Sequence, residues 1–208
     1  MTRVITIERE YGSGAADIAR KLAERLGWRL LDHALSEEIA RRLHCKCEVI
    51  DEHEERVDPL HYRLFRAFMR GSFEGALNAP RLGMVDSDCI RKVANEVVTA
   101  VAKTGNAVIV GRGSAYFLQT CADAFHVFLY APLAAKVRRL RAEGRSEEEA
   151  IELAQTVDTD RAEYIQKYFG VEWPDRHLFH LMLNSEMGDE VVVQTILNAV
   201  AVFDKRAA

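Results

Sequence analysis

Long apolar runs, a cysteine framework and an excess of either charge are all missing from this 208-residue chain. No stretch is long enough to span a bilayer, and the N-terminus enters a strand pattern at once, without signal-peptide character. The expectation is a cytoplasmic protein with no membrane partner. Four cysteines, Cys45, Cys47, Cys89 and Cys121, are few for this length and follow no disulfide spacing, which suits a reducing compartment. His44-Cys45-Lys46-Cys47 supplies one Cys-x-Cys pair and one histidine but no matching second pair, so it reads as ordinary thiols and no metal site is assigned. A net charge of −4 gives no general electrostatic reason to bind nucleic acid or an anionic surface. Internal repeats and low-complexity tracts are absent too. With 49% hydrophobic and 29% charged residues, the chain has the composition of one folded domain, with room for a small inserted subdomain.

The chain does have a glycine loop near its start. Val4 to Arg9 reads as a short apolar strand, Gly12 and Gly14 mark a turn, and Ile18, Leu22 and Leu26 stripe a helix. Strand, glycine turn and helix in that order make a phosphate cradle: glycine lets the backbone approach an anion, and the helix N-terminus presents free N–H groups. One residue is missing. A P-loop closes on Gly-Lys followed by Ser or Thr, and here Gly14 is followed by Ala15 and Ala16. Asp17, in the first helical turn, suits the helix dipole but repels a phosphate.

Beyond this loop, Trp28 to Leu31 is a short apolar segment ending at Asp32, and a helix is expected from about 34 to 43 with Leu35, Ile39 and Leu43 on one face. From about 46 to 84 the pattern loosens into a helical insertion. There Tyr62, Phe65, Phe68 and Met69 recur beside Arg63, Arg66 and Arg70, the aromatics as a packing face and the arginines as a solvated one. Ser87 opens a long helix to about Thr104. Ala107 to Val110 and Phe125 to Tyr130 are continuous apolar runs, the signature of buried strands. Leu133, Val137 and Leu140 stripe a helix rich in Lys136, Arg138, Arg139 and Arg141. Ser146 with Glu149 then forms a capping box for a helix reaching about Phe169. His180 to Leu183 reads as a last strand, and Val192, Ile196, Val200 and Phe203 stripe the closing helix.

Short unalternating strands separated by helices imply an α/β architecture with a parallel sheet covered on both faces. Ligands in such sheets bind beyond the carboxyl ends of the strands. Three polar segments directly follow strands, namely Glu8 to Asp17, Asp32 and Arg112, and all three are expected on one sheet edge. His126, inside an apolar strand, reads as a hydrogen-bonded core histidine.

The ordered set of motifs resembles the cytidylate kinase-like branch of P-loop nucleoside monophosphate kinases. The matching pieces are Ile5-Thr6-Ile7-Glu8-Arg9-Glu10-Tyr11-Gly12-Ser13-Gly14, Leu31-Asp32, Val108-Ile109-Val110-Gly111-Arg112-Gly113, and Ala131-Pro132 with Arg138 and Arg139. They continue with Asp158-Thr159-Asp160-Arg161-Ala162-Glu163-Tyr164, Tyr168-Phe169-Gly170, Trp173 and Asn184-Ser185. The resemblance implies a P-loop NTPase fold, a three-layer α/β/α domain with a helical NMP-binding insertion (about 34–104) and a lid (about 138–170). It also implies ATP and Mg²⁺ as cofactors and a small-molecule nucleotide as substrate, with no nucleic acid and with homo-oligomerisation left open. Carried over by position, Arg112 meets the acceptor, and Arg138, Arg141 and Arg161 are lid arginines. Asp32 orients the acceptor or Mg²⁺, and Asp158 shares a helical face with Arg161. The loop residues Arg9, Glu10, Tyr11, Gly12, Ser13, Gly14, Ala15, Ala16 and Asp17 hold the cofactor. This sequence departs from the cytidylate kinase pattern where Lys and Thr are expected near Ala15 and Asp17, and again at Gly113 and Glu38, and from the kinase-like branch at His180, where an Asp is usual.

Arginine suits the implied chemistry because phosphoryl transfer spreads negative charge that a guanidinium fork can pair. On this reading the chain is an ATP-dependent kinase with CMP or dCMP as nominal acceptor. Two other readings stand beside it: a catalytically silent nucleotide-binding module, suggested by Ala15 and Ala16, and a kinase for a non-nucleotide small molecule, suggested by the divergent acceptor side.

Overall fold

A computed structural model describes residues 1–32, 35, 37–39, 41–42 and 87–206. The reading of 46–84 as an aromatic-faced insertion, and that of His44, Cys45 and Cys47 as free of metal, lie outside the described residues. Five strands form one parallel sheet in the order β2-β3-β1-β4-β5: β1 (Val4–Arg9), β2 (Arg29–Leu31), β3 (Ala107–Val110), β4 (Ala124–Tyr130) and β5 (Leu181–Asn184). The helices are α1 (Ala15–Leu26), α2 (Ser87–Thr104), the short α3 (Ser114–Phe117), α4 (Leu133–Ala142), α5 (Glu147–Phe169) and α6 (Asp189–Arg206).

The central strands are buried on both faces, which is why they carry no alternation. Ile5, Ile7, Val108, Val110, Val127 and Leu129 face α1 and α6, where Ile18, Leu22, Val192 and Ile196 complete one core. On the opposite face Val4, Ala107 and Ile109 meet Val93, Val97 and Val98 of α2 and Tyr164 and Ile165 of α5. Residues 87–104, placed by the sequence reading within an insertion, thus form a layer of the central sandwich. Leu35 and Ile39, both helical, join the same core as expected.

His126 is a core residue. Its Nδ1 lies 2.7 Å from Thr6 Oγ1 on the neighbouring strand, and its backbone N–H donates to His180 Nδ1 at 2.9 Å. Burial and the neighbouring His180 push its pKa down to about 4, so the ring is neutral in the fold.

Register decides where the polar segments go. Ile7 pairs with Val110 and Arg9 with Leu129, so the β1, β3 and β4 chains leave the sheet together. Leu31 pairs with Ile109, which brings Asp32 to the same edge. The crossover from β1 runs toward β2, whereas β4 and β5 lie on the other side of β1. The loop after β1 therefore occupies the switch point, where a crevice opens in such sheets.

Candidate active site

The glycine loop adopts the cradle conformation. Gly12 (φ 76°) and Gly14 (φ 74°) are both left-handed, and Gly14 caps α1 with no side chain bonded to the helix end. The first N–H groups of α1 therefore lack a side-chain cap and sit at the positive end of its dipole. Ser13 is fully buried, and its Oγ has no hydrogen-bond partner. Buried donors without partners are rare, and here they converge at a helix N-terminus, a fit for the oxygens of a phosphate chain. Asp17 leaves this site: it is exposed and pairs with Arg20 at 3.3 Å, next to the outer Arg20–Glu24 pair.

Lysine is absent from the loop, but two cations reach it from α4. Lys136 packs so closely that a Cβ added at Gly12 would lie 3.0 Å from its own Cβ. Its Nζ bonds Glu10 Oε2 and Asp158 Oδ2, each at 3.1 Å. Arg139 lies over Gly14, donating to Ser185 O at 2.8 Å and to Gly12 O at 3.5 Å. Arg138 and Arg141, the pair with lid spacing that the sequence pointed to, turn outward instead. Arg138 reaches Glu186 at 3.5 Å and Arg141 reaches Glu147 at 3.1 Å, all four side chains solvent-accessible. Lys136 and Arg139 have the same i, i+3 spacing as Arg138 and Arg141, so spacing alone does not tell the inner pair from the outer one.

The loop is keyed into α4 and α5. Tyr11 is buried among Leu140, Ala150, Ala154 and Val157, so its ring serves packing. Asp158 gathers three donors: Tyr11 N–H at 2.7 Å, Lys136 Nζ at 3.1 Å and Arg161 Nη1 at 3.1 Å. Arg161 also donates to the carbonyl of Arg9 at 3.0 Å. With side chains only 9% and 14% exposed, the Arg161–Asp158 pair belongs to the interior rather than to the surface.

A second polar region adjoins the loop. Glu8, Arg9, Arg112, Arg161, Tyr164 and Trp173 line a small cavity at the strand ends. Arg112 is held by Asp32 Oδ1 at 3.2 Å, the pairing expected of the shared edge. Its backbone is left-handed (φ 58°) between two left-handed glycines, a conformation costing a non-glycine residue about 1 kcal/mol. Gly111 is required here by close approach: a Cβ would collide with Arg9 Nη1 and lie 2.9 Å from Arg9 Cζ. Burial, then the charges of Arg161 and Arg112, push the Arg9 pKa down to about 9, leaving it protonated at neutral pH. Burial pushes the Glu8 carboxyl up, opposed by the same three arginines. Glu8 and Arg139 were among the residues carrying the resemblance, and Glu8 was expected on this edge, but neither they nor Lys136 had been given a site role from sequence. Glu38, at a divergent position, pairs with Arg41 at 2.9 Å and Arg42 at 2.6 Å.

A parallel sheet with a glycine loop and helix N-terminus at its switch point fits the P-loop class of kinase folds. Within that class, the chain belongs to the cytidylate kinase-like family, which it matches over residues 4–187. Among solved structures it is similar to an uncharacterized protein from Eubacterium ventriosum ATCC 27560, at 20% identity over 97% of this chain and 99% of that one, with a TM-score of 0.67. It is also similar to shikimate kinase from Bacteroides thetaiotaomicron (17% identity, 97% and 99% covered, TM-score 0.54). Shikimate kinase from Acinetobacter baumannii in complex with shikimate is a third (18% identity, 97% and 94% covered, TM-score 0.53). At these identities the likeness is one of fold. No curated protein matches the chain. No described helix is long and apolar enough to cross a membrane.

Proposed function

We propose that this protein transfers a phosphoryl group from ATP to a small acceptor, with CMP and dCMP as the first acceptors to try. One observation carries the reading: an uncapped helix N-terminus, roofed by Arg139, adjoins the Arg9–Arg112–Arg161 cavity on a single sheet edge. Phosphoryl transfer asks a protein chiefly for positioning and fixed positive charge on both sides of the moving group. The loop N–H groups, Ser13 Oγ and Arg139 supply it on the donor side, and the cavity arginines on the acceptor side. Bound ATP supplies the phosphoryl group. Mg²⁺ would enter on the nucleotide phosphates, because Ala16 stands where a P-loop offers a metal-binding hydroxyl and no cluster of metal-ligating side chains occurs among the described residues. Asp32, paired with Arg112, is the carboxylate we assign to orienting an acceptor hydroxyl, a role its ion pair on this edge supports.

Incubation of the pure protein with ATP, Mg²⁺ and a nucleoside monophosphate panel should give the corresponding diphosphate. A folded protein with no turnover on any acceptor sinks this reading. Ala15 favours a second one, since a loop without lysine lacks a charge-assisted contact in a site where such contacts carry much of the rate. A silent nucleotide-binding module would show ATP binding by calorimetry and no transfer. A metabolite screen with ATP consumption as readout separates a non-nucleotide acceptor from both.

A further inference from the structure

Most buried cations at the loop and cavity meet a carboxylate among the described residues. Arg112 meets Asp32, Arg161 meets Asp158, and Lys136 meets Glu10 and Asp158. Arg9 is different. It is 4% exposed, and neither its Nε nor its Nη2 has a hydrogen-bond partner. Among the described residues no carboxylate lies within ion-pair distance of its guanidinium. Glu8, the nearest in sequence, keeps an unpartnered Oε1 of its own. Two further buried guanidiniums, those of Arg112 and Arg161, line the same cavity.

A buried, unpaired cation is costly, and like charges nearby raise that cost. Gly111 makes room for the Arg9 guanidinium where any side chain would collide with it. Packing therefore holds an unneutralised fork in a cavity. A guanidinium with one edge free is shaped to take two oxygens of a carboxylate or a phosphate.

We infer that Arg9 is the anchor of an oxyanion subsite, and that the acceptor enters the cavity with a phosphate or carboxylate group whose oxygens meet Nε and Nη2 of Arg9. The assignment of this anion to an acceptor rests on the phosphoryl-transfer reading, whereas the anion site itself does not. Acceptors without an oxyanion, such as free nucleosides and neutral polyols, are thereby disfavoured. Arg9 begins the loop, but its guanidinium packs against Gly111 and the residue lines the cavity with Arg112, so it is a specificity residue more than a substitute for the missing loop lysine.

Trp173 lines the cavity, and the other tryptophan, Trp28, packs in the separate core beneath α1 and α6. Trp28→Phe thus leaves one reporter at the site. The test titrates this full-length variant with inorganic phosphate, malonate and cytidine, following Trp173 emission, with and without Arg9→Gln. Saturable change with phosphate or malonate, none with cytidine, and at least a tenfold weaker response in the Arg9→Gln background are expected. The tighter of the two anions assigns the oxyanion. Arg9→Gln alone is expected to raise the melting temperature, as removal of an unpaired buried charge should. A flat titration, or an equal one in both backgrounds, overturns the subsite, as does an Arg9→Gln protein that unfolds earlier yet keeps its anion response. Because ATP is absent, an Arg9-dependent response upholds the subsite even if no acceptor is phosphorylated. Conversely, transfer to CMP at equal kcat and KM in Arg9→Gln rejects the subsite and leaves the kinase reading standing.

Discussion

The glycine loop and the arginine cavity are neighbours on one sheet edge, yet they present positive charge in different forms. The loop relies on backbone: left-handed Gly12 and Gly14 and the uncapped start of α1, with Ala15 where a lysine would stand. The cavity relies on side chains, with Arg9, Arg112 and Arg161 all buried. A backbone site needs no neutralising partner and is stable when empty, because partial N–H charges cost far less to bury than a guanidinium. A side-chain site is strong only while its counter-charges are in place, which explains why Asp32 and Asp158 stand where they do. The lesson is that this family member's loop can lose a lysine without losing its shape, whereas the cavity cannot lose a carboxylate so lightly.

The largest expected effect tests that contrast directly. Asp158→Ala deprives Lys136, Arg161 and the Tyr11 N–H of their shared acceptor and should cost about 3–5 kcal/mol of stability, read by urea unfolding. A loss under 1 kcal/mol would show that the network is loosely held. Next, Arg139→Ala should lower kcat by about a hundredfold, roughly 3 kcal/mol, if the loop borrows its missing charge from α4. Arg138→Ala, on the outer face, should stay within about twofold of wild type. Equal losses in the two variants would break the distinction between inner and outer cations.

Acid should reach the protein through a core histidine as well as through the cavity. His126, with its pKa held near 4, is neutral in the fold and charges in the unfolded chain below about 6.5. The unfolded state then binds the extra proton, so this contribution is fully present above pH 6.5 and is lost as pH falls toward 4, by about 3 kcal/mol in all. Glu8 works in the opposite sense, since its raised pKa lets the folded state take up a proton first. The His126 share is therefore the difference in pH slope between wild type and His126→Gln, measured by chemical denaturation. Matching slopes would refute it. The smallest change probes the loop backbone: Gly12→Ala forces a side chain into φ 76° against Lys136 and should cost about 1–2 kcal/mol, seen as a lower melting temperature.

Much of this molecule was legible from residue order. The apolar runs of β1, β3 and β4 are short and unalternating because both faces are covered, and the sheet came out parallel as that pattern requires. Asp32 and Arg112 were expected on one edge and form an ion pair there. His126 was read as a core histidine and is buried against Thr6. The loop-facing cations were harder. Arg138 with Arg141 and Lys136 with Arg139 have the same spacing, and spacing says which residues share a face without saying which way that face turns. Hydropathy misled as well, since Leu133 is 42% exposed while Lys136 is 8% exposed. The rotation of α4 is set by Tyr11 and Leu140 and by carboxylates at Glu10 and Asp158, none of which a local pattern can rank.

Sequence alone, then, determined the order of strands and helices, the glycine loop with its missing lysine, and the sheet edge where polar segments gather. These follow from local backbone preference and burial, which act over a few residues. Tertiary structure decided which cations turn inward, that Asp158 ties the loop to α5, and that Arg9 is buried with no carboxylate partner among the described residues. Each of those depends on groups brought together across the chain, as Lys136 and Glu10 are from 126 positions apart. Electrostatic pairing at such range is fixed by packing, because the energy of a buried charge depends on what surrounds it and not on what adjoins it in sequence.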